Sequence, residues 1–497
     1  MYQNLIQLFE ATAAAHPEST ALADRDHCFT FSQLRDNARR LASYLLEQGL
    51  GEKVIAVLAR HDVWTPVLFF GVLYAGSAYV PLDEEMPEEK RQKILRGSGA
   101  AVLLYHGEPF PGGLSVTEEL LQGVCVREDS LNEIRKKTAP DALAYLVYTS
   151  GSTGIPKGVA KSHGSILSYT EAFTSLYPFT AETVLGNQTP FFFDASAKDL
   201  YLMATTGASI QIIPRELFTF PVKLIGWLDE RKIDTISWVP SALSIVTQLN
   251  TFTEIKPHCL RRVFFVGEVF PMKQLNKWRT ALPHIDYVNL YGSSELAGIA
   301  CYFPVEGEFA DSDSLPIGRS LPNCTVMLVD KGQIITCSDK VGEIYIASPA
   351  LALGYFGDEE KTAAAFRELD LGDGVTRRYF ATGDMARYDK EGRLVFAARR
   401  DFQIKHMGHR IELGEIETAA GALEDIQKCC CLYHKEKQKI ILFCQLTEGS
   451  PLTGKDIRRL LKDRLSDYMV PSKLHILESL PLNPNGKIDR VRLSEFM

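Results

Sequence analysis

The sequence predicts an α/β protein: a large N-terminal domain of βα-layered sheets with a β-rich subdomain, and a small C-terminal α+β domain. Three observations carry that prediction. Between residues 208 and 292, apolar runs of strand length alternate with amphipathic stretches of helical period. Past about residue 315 the helical stretches give way to short strands and turns, as at 342–346 and 389–392. The chain's 497 residues exceed what a single core usually fills.

Taken in order, 66–80 reads as a buried helix running into a strand, because Gly71, Gly76 and Ser77 interrupt its apolar run. Residues 142–147 form an apolar strand. Residues 209–213 read as a strand, and 222–233 as a helix carrying Val222, Ile225 and Leu228 on one stripe. Residues 234–239 are strand, 241–249 helix and 262–266 strand. The helix at 271–282 opens on a proline, whose missing N–H costs nothing there, and 285–290 is strand. Repeated βα units imply a largely parallel sheet covered by helices, with ligands at the carboxyl ends of its strands. Those ends hold Thr149-Ser150, Asp194, Gly267-Glu268 and Tyr291-Gly292. A second domain starts near Arg400-Asp401, with strand 403–405, helix 412–423, strands 430–433 and 440–445, and helix 455–465. The expected division is 1–400 and 401–497.

Bulk properties exclude some partners. A net charge of −8 argues against nucleic acid and against an anionic membrane. The longest apolar stretch, 66–80, falls short of the roughly 20 residues a membrane span needs. Residues 1–10 lack a basic leader and a small-residue cleavage site, so a cytoplasmic protein is expected. Ten cysteines include no Cys-x-x-Cys. Cys429, Cys430 and Cys431 alternate faces if they lie on a strand and then cannot ligate one ion, so buried thiols are expected.

The segment from Tyr148 to Gly158 crowds three glycines, four Ser or Thr residues and a lysine into eleven positions after a strand. Such a loop can aim N–H groups and hydroxyls at a phosphate. It is not the Gly-x-x-x-x-Gly-Lys-Ser/Thr loop, because Ile155 and Pro156 separate Gly154 from Lys157 and Gly158 follows. No Gly-x-Gly-x-x-Gly opens a helix there. It is a phosphate loop of a third kind, or not one at all.

Further motifs follow in order: 73–83 (Leu-Tyr-Ala-Gly-Ser-Ala-Tyr-Val-Pro-Leu-Asp), Phe193-Asp-Ala-Ser196, 289–295 (Asn-Leu-Tyr-Gly-Ser-Ser-Glu), Gly342-Glu343, Thr382-Gly-Asp384, 399–405, 408–413 and 485–490. Together they resemble the adenylate-forming enzymes, nearly end to end. Within that superfamily the likeness is to amino-acid adenylation domains of nonribosomal peptide synthesis and to D-alanine–carrier protein ligases. The resemblance implies that a carboxylate attacks the α-phosphate of ATP and that a thiol then displaces AMP.

It further implies roles for single residues. Thr149, Ser150, Gly151, Ser152, Thr153 and Gly154, with Lys157, would cradle the β/γ-phosphates. Gly267 and Glu268 would meet the adenine edge and Tyr291 would stack on adenine, in the run Asn289, Leu290, Tyr291, Gly292, Ser293, Ser294. Glu295 would ligate Mg²⁺, and Ser294 would meet a phosphate oxygen where the family mostly has Pro-Thr in place of Ser293-Ser294. Asp384 would accept both ribose hydroxyls, and Arg399 would be a ribose or phosphate contact, here after Ala398 rather than glycine. Lys487, on a C-terminal domain that moves, would bridge carboxylate and α-phosphate. Asp401 would be the hinge, and Gly408 would pass the thiol arm. Asp194 would pair with the α-ammonium of an amino acid; as a plain alternative it caps a helix with Lys198 four residues on. The substrate wall would be Ala195, Lys198, Trp238, Phe264, Val266, Leu290, Gly298 and Ile299.

No phosphopantetheine attachment segment follows Met497, so a separate carrier protein, or CoA, is the expected acceptor. The expected function is a stand-alone amino-acid–carrier protein ligase, with D-alanine activation for teichoic acid the near alternative, favoured by 267–269 and 401–405. An acyl- or aryl-CoA ligase is opposed by Asp194, and a non-catalytic scaffold by the joint presence of Glu295, Asp384 and Lys487.

Overall fold

The computed structural model describes residues 2–150, 156–337, 340–370, 374–399, 403–481 and 488–497. The chain divides into two compact units. One comprises Met1–Glu84, Ser98–Val147 and Gly158–Arg400; the other comprises Glu85–Gly97, Tyr148–Lys157 and Asp401–Met497.

In the larger unit a nine-stranded sheet runs through Thr20–Ala23, Ser209–Ile212, Val184–Asn187, Thr235–Trp238, Arg262–Val266 and Asp286–Tyr291 as parallel neighbours. A seven-stranded sheet contains Val54–Leu58, Ala78–Leu82, Leu143–Thr149 and Lys157–Ser162, and an antiparallel sheet is built on Thr325–Asp330, Gly342–Ala347 and Arg377–Tyr388. This is the βα-layered architecture with a β-rich part that the alternation implies. The helix Trp64–Tyr74 is buried all round and leads into strand Ala78–Leu82, as the interrupted apolar run at 66–80 indicates. Among the described residues no helix is long and apolar enough to cross a membrane.

Strand alternation sorts the nine-stranded sheet onto two apolar clusters. Val263 and Phe265 pack into one with Ile236, Trp238 and Tyr287; Phe264 packs into the other with Val288 and Leu290. Helices Pro221–Glu230 and Pro240–Gln248 both start on proline. Val222, expected on the buried stripe, is exposed; Leu224, Ile225, Trp227 and Leu228 make the stripe instead.

The smaller unit contains a hairpin, Gln403–His406 with His409–Glu412, whose turn puts Met407 and Gly408 at φ 51° and 81°. Two successive left-handed residues match the twist of a two-residue hairpin. Helix Leu413–Gly421 follows. A three-stranded sheet of Ile426–His434, Lys439–Leu446 and Lys473–Ile476 packs against it. Cys430 and Cys431 enter different apolar clusters, as adjacent residues on a strand must, and burial raises both thiols' pKa values.

Candidate active site

At the carboxyl end of strand Asp286–Tyr291, the Tyr291 hydroxyl donates to Asp384 Oδ2 at 2.6 Å. Arg399 Nη1 donates to Asp384 Oδ1 at 2.8 Å, and Nη2 to the Thr382 carbonyl at 3.2 Å. Asp384 and Arg399 are directly opposed on antiparallel strands, which puts both side chains on one face. Gly383, at φ 75°, donates its N–H to Glu343 Oε1 at 2.9 Å, and Thr382 Oγ1 accepts the Asp384 N–H at 3.0 Å. Asp384 is thus a buried carboxylate with both oxygens oriented. Burial, and then the Asp384 charge, raise the Tyr291 phenol well above its ordinary pKa, so it remains a donor. Its ring is 6% exposed within an apolar cluster, which limits the stacking expected of it on adenine.

The turn after Tyr291 is tight. A Cβ on Gly292 would lie 2.5 Å from the Gly298 carbonyl oxygen, so only glycine fits. Glu295 is completely buried, and its Oε1 accepts the Tyr355 hydroxyl at 2.8 Å. Among the described residues the Ser293 hydroxyl is buried without a hydrogen-bond partner, and so, in the smaller unit, is the Thr149 hydroxyl. Buried hydroxyls are normally satisfied, so each has hydrogen-bonding capacity to spare. Asn289 donates to the Pro316 carbonyl at 2.8 Å, and Glu268 accepts the Ser241 N–H at the start of helix Pro240–Gln248. Gly267 holds φ 99°, a conformation other residues rarely adopt.

Asp194 begins helix Asp194–Thr206, but the helix has no side-chain cap. Its carboxylate turns elsewhere: Oδ1 accepts the Tyr145 hydroxyl at 3.0 Å and Oδ2 accepts Lys161 Nζ at 3.3 Å. Lys198 does not pair with it, nor does it reach solvent. It is buried and ion-paired to Asp199, whose Oδ2 takes Asn187 Nδ2 at 3.1 Å. The capping alternative is therefore overturned. Burial pushes the Asp194 carboxyl up, more than Lys161 and Tyr145 pull it down.

Phe264, Val266, Leu290 and Ile299 pack in one apolar cluster on one side of the nine-stranded sheet. Tyr169 stands at Gly298, where a Cβ would meet its ring at 2.4 Å; its hydroxyl is buried without a partner among the described residues. Ala195 is exposed. Trp238 needs correcting. It pairs with Phe265, lies in the opposite cluster, is fully buried and donates its indole N–H to the Gly186 carbonyl. The residue beside Phe264 is Ser237, whose buried hydroxyl has no partner among the described residues. A slip of one along a strand changes the face. Ser237 and Lys161 are the residues that sequence reasoning missed. A lone lysine inside the strand after the phosphate loop was the available signal for the second.

In the smaller unit, Ser150 Oγ donates to the Arg410 carbonyl at 2.8 Å and accepts the Glu412 N–H at 3.1 Å. Lys157 Nζ lies 3.5 Å from Glu412. Gly151, Ser152, Thr153, Gly154, Asp401 and Lys487 fall outside the described residues. Among the described residues no group of three or more His, Cys, Asp or Glu could hold a metal ion.

The AMP-binding enzyme family matches residues 9–356, and its C-terminal domain family matches 415–487. The chain belongs to the AMP-binding enzymes. It is a member of the adenylate-forming superfamily its motifs resemble. It is 30% identical to the D-alanine–D-alanyl carrier protein ligase of Bacillus cytotoxicus over 98% of both chains. It is also 30% identical to a plipastatin synthase of Bacillus subtilis, over 99% of this chain but only 14% of that one. The chain thus spans about a seventh of that much longer protein. Among solved structures, holo-PA1221, an NRPS protein containing adenylation and PCP domains, matches with TM-score 0.86 and 26% identity over 100% of this chain and 84% of that one. The Vibrio cholerae adenylation domain AlmE, in complex with glycyl-adenosine-5′-phosphate, shares the fold at TM-score 0.83 and 21% identity over 100% of this chain and 98% of that one.

Proposed function

We propose that this AMP-binding enzyme is an AMP-forming ligase that activates a carboxylic acid with ATP and passes the acyl group to the phosphopantetheine thiol of a carrier protein. One observation carries the reading: Asp384, buried and held by Tyr291 and Arg399 at the strand ends, beside a turn whose Glu295 is also buried. An ionised carboxylate accepts and cannot donate, which suits a ribose diol. In the first step a substrate carboxylate oxygen attacks the α-phosphorus, and the bond to the bridging oxygen breaks so that pyrophosphate leaves with the electron pair. In the second a thiol sulfur attacks the acyl carbon, AMP leaves, and the thiol proton passes to solvent. Such steps depend on positioning and charge neutralisation.

Glu295 would hold Mg²⁺, whose chemistry is to neutralise charge on the phosphates. A single carboxylate fits an ion that arrives with the nucleotide, since magnesium is commonly held by one or two carboxylates plus substrate phosphates. Ser293 would offer its hydroxyl to phosphate, and Lys487 would bring its ammonium to the carboxylate for the first step only. The carrier reading is supported by the relative named for a carrier protein ligase and by the adenylation–PCP protein. Asp194 alone favours an amino acid as the acid, with D-alanine one candidate; Lys161 argues for a different α-substituent.

The test is acid-dependent exchange of pyrophosphate into ATP, followed by loading of a carrier protein. Lys487→Ala is expected to abolish exchange while sparing thiolation from supplied acyl-adenylate. Equal loss of both steps would refute the moving-lysine account, and turnover onto CoA alone would favour the acyl-CoA ligase.

A further inference from the structure

Lys161 lies inside the strand Lys157–Ser162 and exposes none of its surface. Its ammonium donates to Asp194 Oδ2 and to the backbone carbonyl of Leu296, the residue after Glu295. The Tyr145 hydroxyl occupies the other Asp194 oxygen. A cation held by this carboxylate and a main-chain carbonyl is what the α-ammonium of a bound amino acid would have to become. The chain's own lysine is already there. It has little freedom to withdraw, because its strand is hydrogen-bonded on both sides, to Leu143–Thr149 and Gly354–Tyr355.

We propose that Lys161 is a built-in counter-ion for Asp194, and that the acid this enzyme activates carries no ammonium on its α-carbon. The substrate class is a 2-hydroxy, 2-oxo or 2-unsubstituted carboxylic acid. This rests on the acyl-adenylate reading and refines it. An incoming ammonium would share one partly buried carboxylate with the fully buried Lys161 at a distance of a few ångström, where like charges repel. An α-hydroxyl can donate to Asp194, and a bare α-carbon asks for nothing. Adenylation itself is unaffected, because the carboxylate oxygen attacks the α-phosphorus whatever the α-substituent is. Lys161 is thus a specificity-determining residue, not a catalytic one.

The experiment is ATP–pyrophosphate exchange by the full chain on a panel of the proteinogenic amino acids, D-alanine, and the 2-hydroxy, 2-oxo and desamino analogue of each. For the side chain that works, kcat/KM for an analogue should exceed that of the amino acid by at least about tenfold, in the range that one lost or misplaced polar contact gives. Lys161→Met frees Asp194 and should move that ratio about tenfold or more toward the amino acid. An amino acid preferred by the unaltered enzyme would overturn the proposal, and that comparison stands even if Lys161→Met does not fold. A folded Lys161→Met with an unchanged ratio would overturn it too. Silence on every acid would instead refute acyl-adenylate formation, and this refinement with it.

Discussion

Asp194, partly buried, and Asp384, buried, are two carboxylates of the larger unit with matching partners: each takes one tyrosine hydroxyl and one cation. They differ in what surrounds the cation. Lys161 is wholly enclosed, on a strand paired on both sides, whereas the Arg399 side chain keeps 12% of its surface and sits at the end of strand Leu394–Arg399. Guanidinium presents several donors in a fixed fork, and Arg399 spreads them over Asp384 and the Thr382 carbonyl. The Lys161 ammonium, with no exposed surface, is a point charge shared between Asp194 and the Leu296 carbonyl. The same pair of charges is therefore open at its cation on the nucleotide side and at its carboxylate on the acid side.

The largest expected effect falls on the nucleotide side. Asp384→Ala removes the proposed ribose acceptor and strands Arg399, so kcat/KM for ATP should fall about a thousandfold, roughly 4 kcal/mol. Saturation curves in ATP and in acid separate the sites. A loss confined to the acid's KM would dissolve the contrast between the two carboxylates. The acid side should answer mainly in stability. Asp194→Ala leaves Lys161 buried without its counter-charge, and losing one partner of a buried pair costs about 3–5 kcal/mol. Urea unfolding reads that cost. A variant that unfolds like the parent would show that Lys161 has room to leave.

The acid side also depends on groups kept uncharged. Strand Lys157–Ser162 runs into His163, which is buried, accepts the Leu5 N–H on Nδ1 at 3.2 Å and has its pKa pushed by burial from 6.5 down to about 4. The unfolded chain takes up a proton below pH 6.5, while the folded chain stays neutral until about 4. Stability from this group is therefore complete above pH 6.5 and is lost as pH falls toward 4, by about 3 kcal/mol at the end of that window. In His163→Asn, which retains an acceptor for Leu5, the urea midpoint should fall less steeply between pH 7 and 4.5. Identical slopes would place the acid sensitivity elsewhere.

Much of this was legible in the sequence because period and punctuation are local. The strand at 262–266, the buried run at 66–80 and the three adjacent cysteines each fold as their spacing implies. The pairing of Asp384 with Arg399 was implied only as two separate ligand contacts, since cross-strand register is not written in either segment. Lys161 escaped notice because a lysine next to a phosphate loop reads as a solvated charge. Only tertiary packing turns it onto Asp194, 33 residues away on a helix. Trp238 was misplaced for a smaller reason: with a side-chain period of two, a shift of one residue moves a side chain across the sheet.

That shift yields the finest test of the acid side. Ser237 shares its face with Phe264 and has a buried hydroxyl without a partner, whereas Trp238 is fully buried on the other face with its indole bonded to Gly186. Ser237→Val fills space and removes the hydroxyl on the substrate side, and should change the ratio of kcat/KM between two acids about tenfold, close to 1.4 kcal/mol. Because the hydroxyl has no partner to lose, the melting temperature should hardly move. Trp238→Phe should do the opposite, lowering the melting temperature through the lost indole bond while leaving the ratio between acids as it was. Matched panels on the two variants decide the matter. If Trp238→Phe alters acid choice and Ser237→Val does not, the binding face of that strand is the one the sequence first indicated, and the wall beside Asp194 must be redrawn around it.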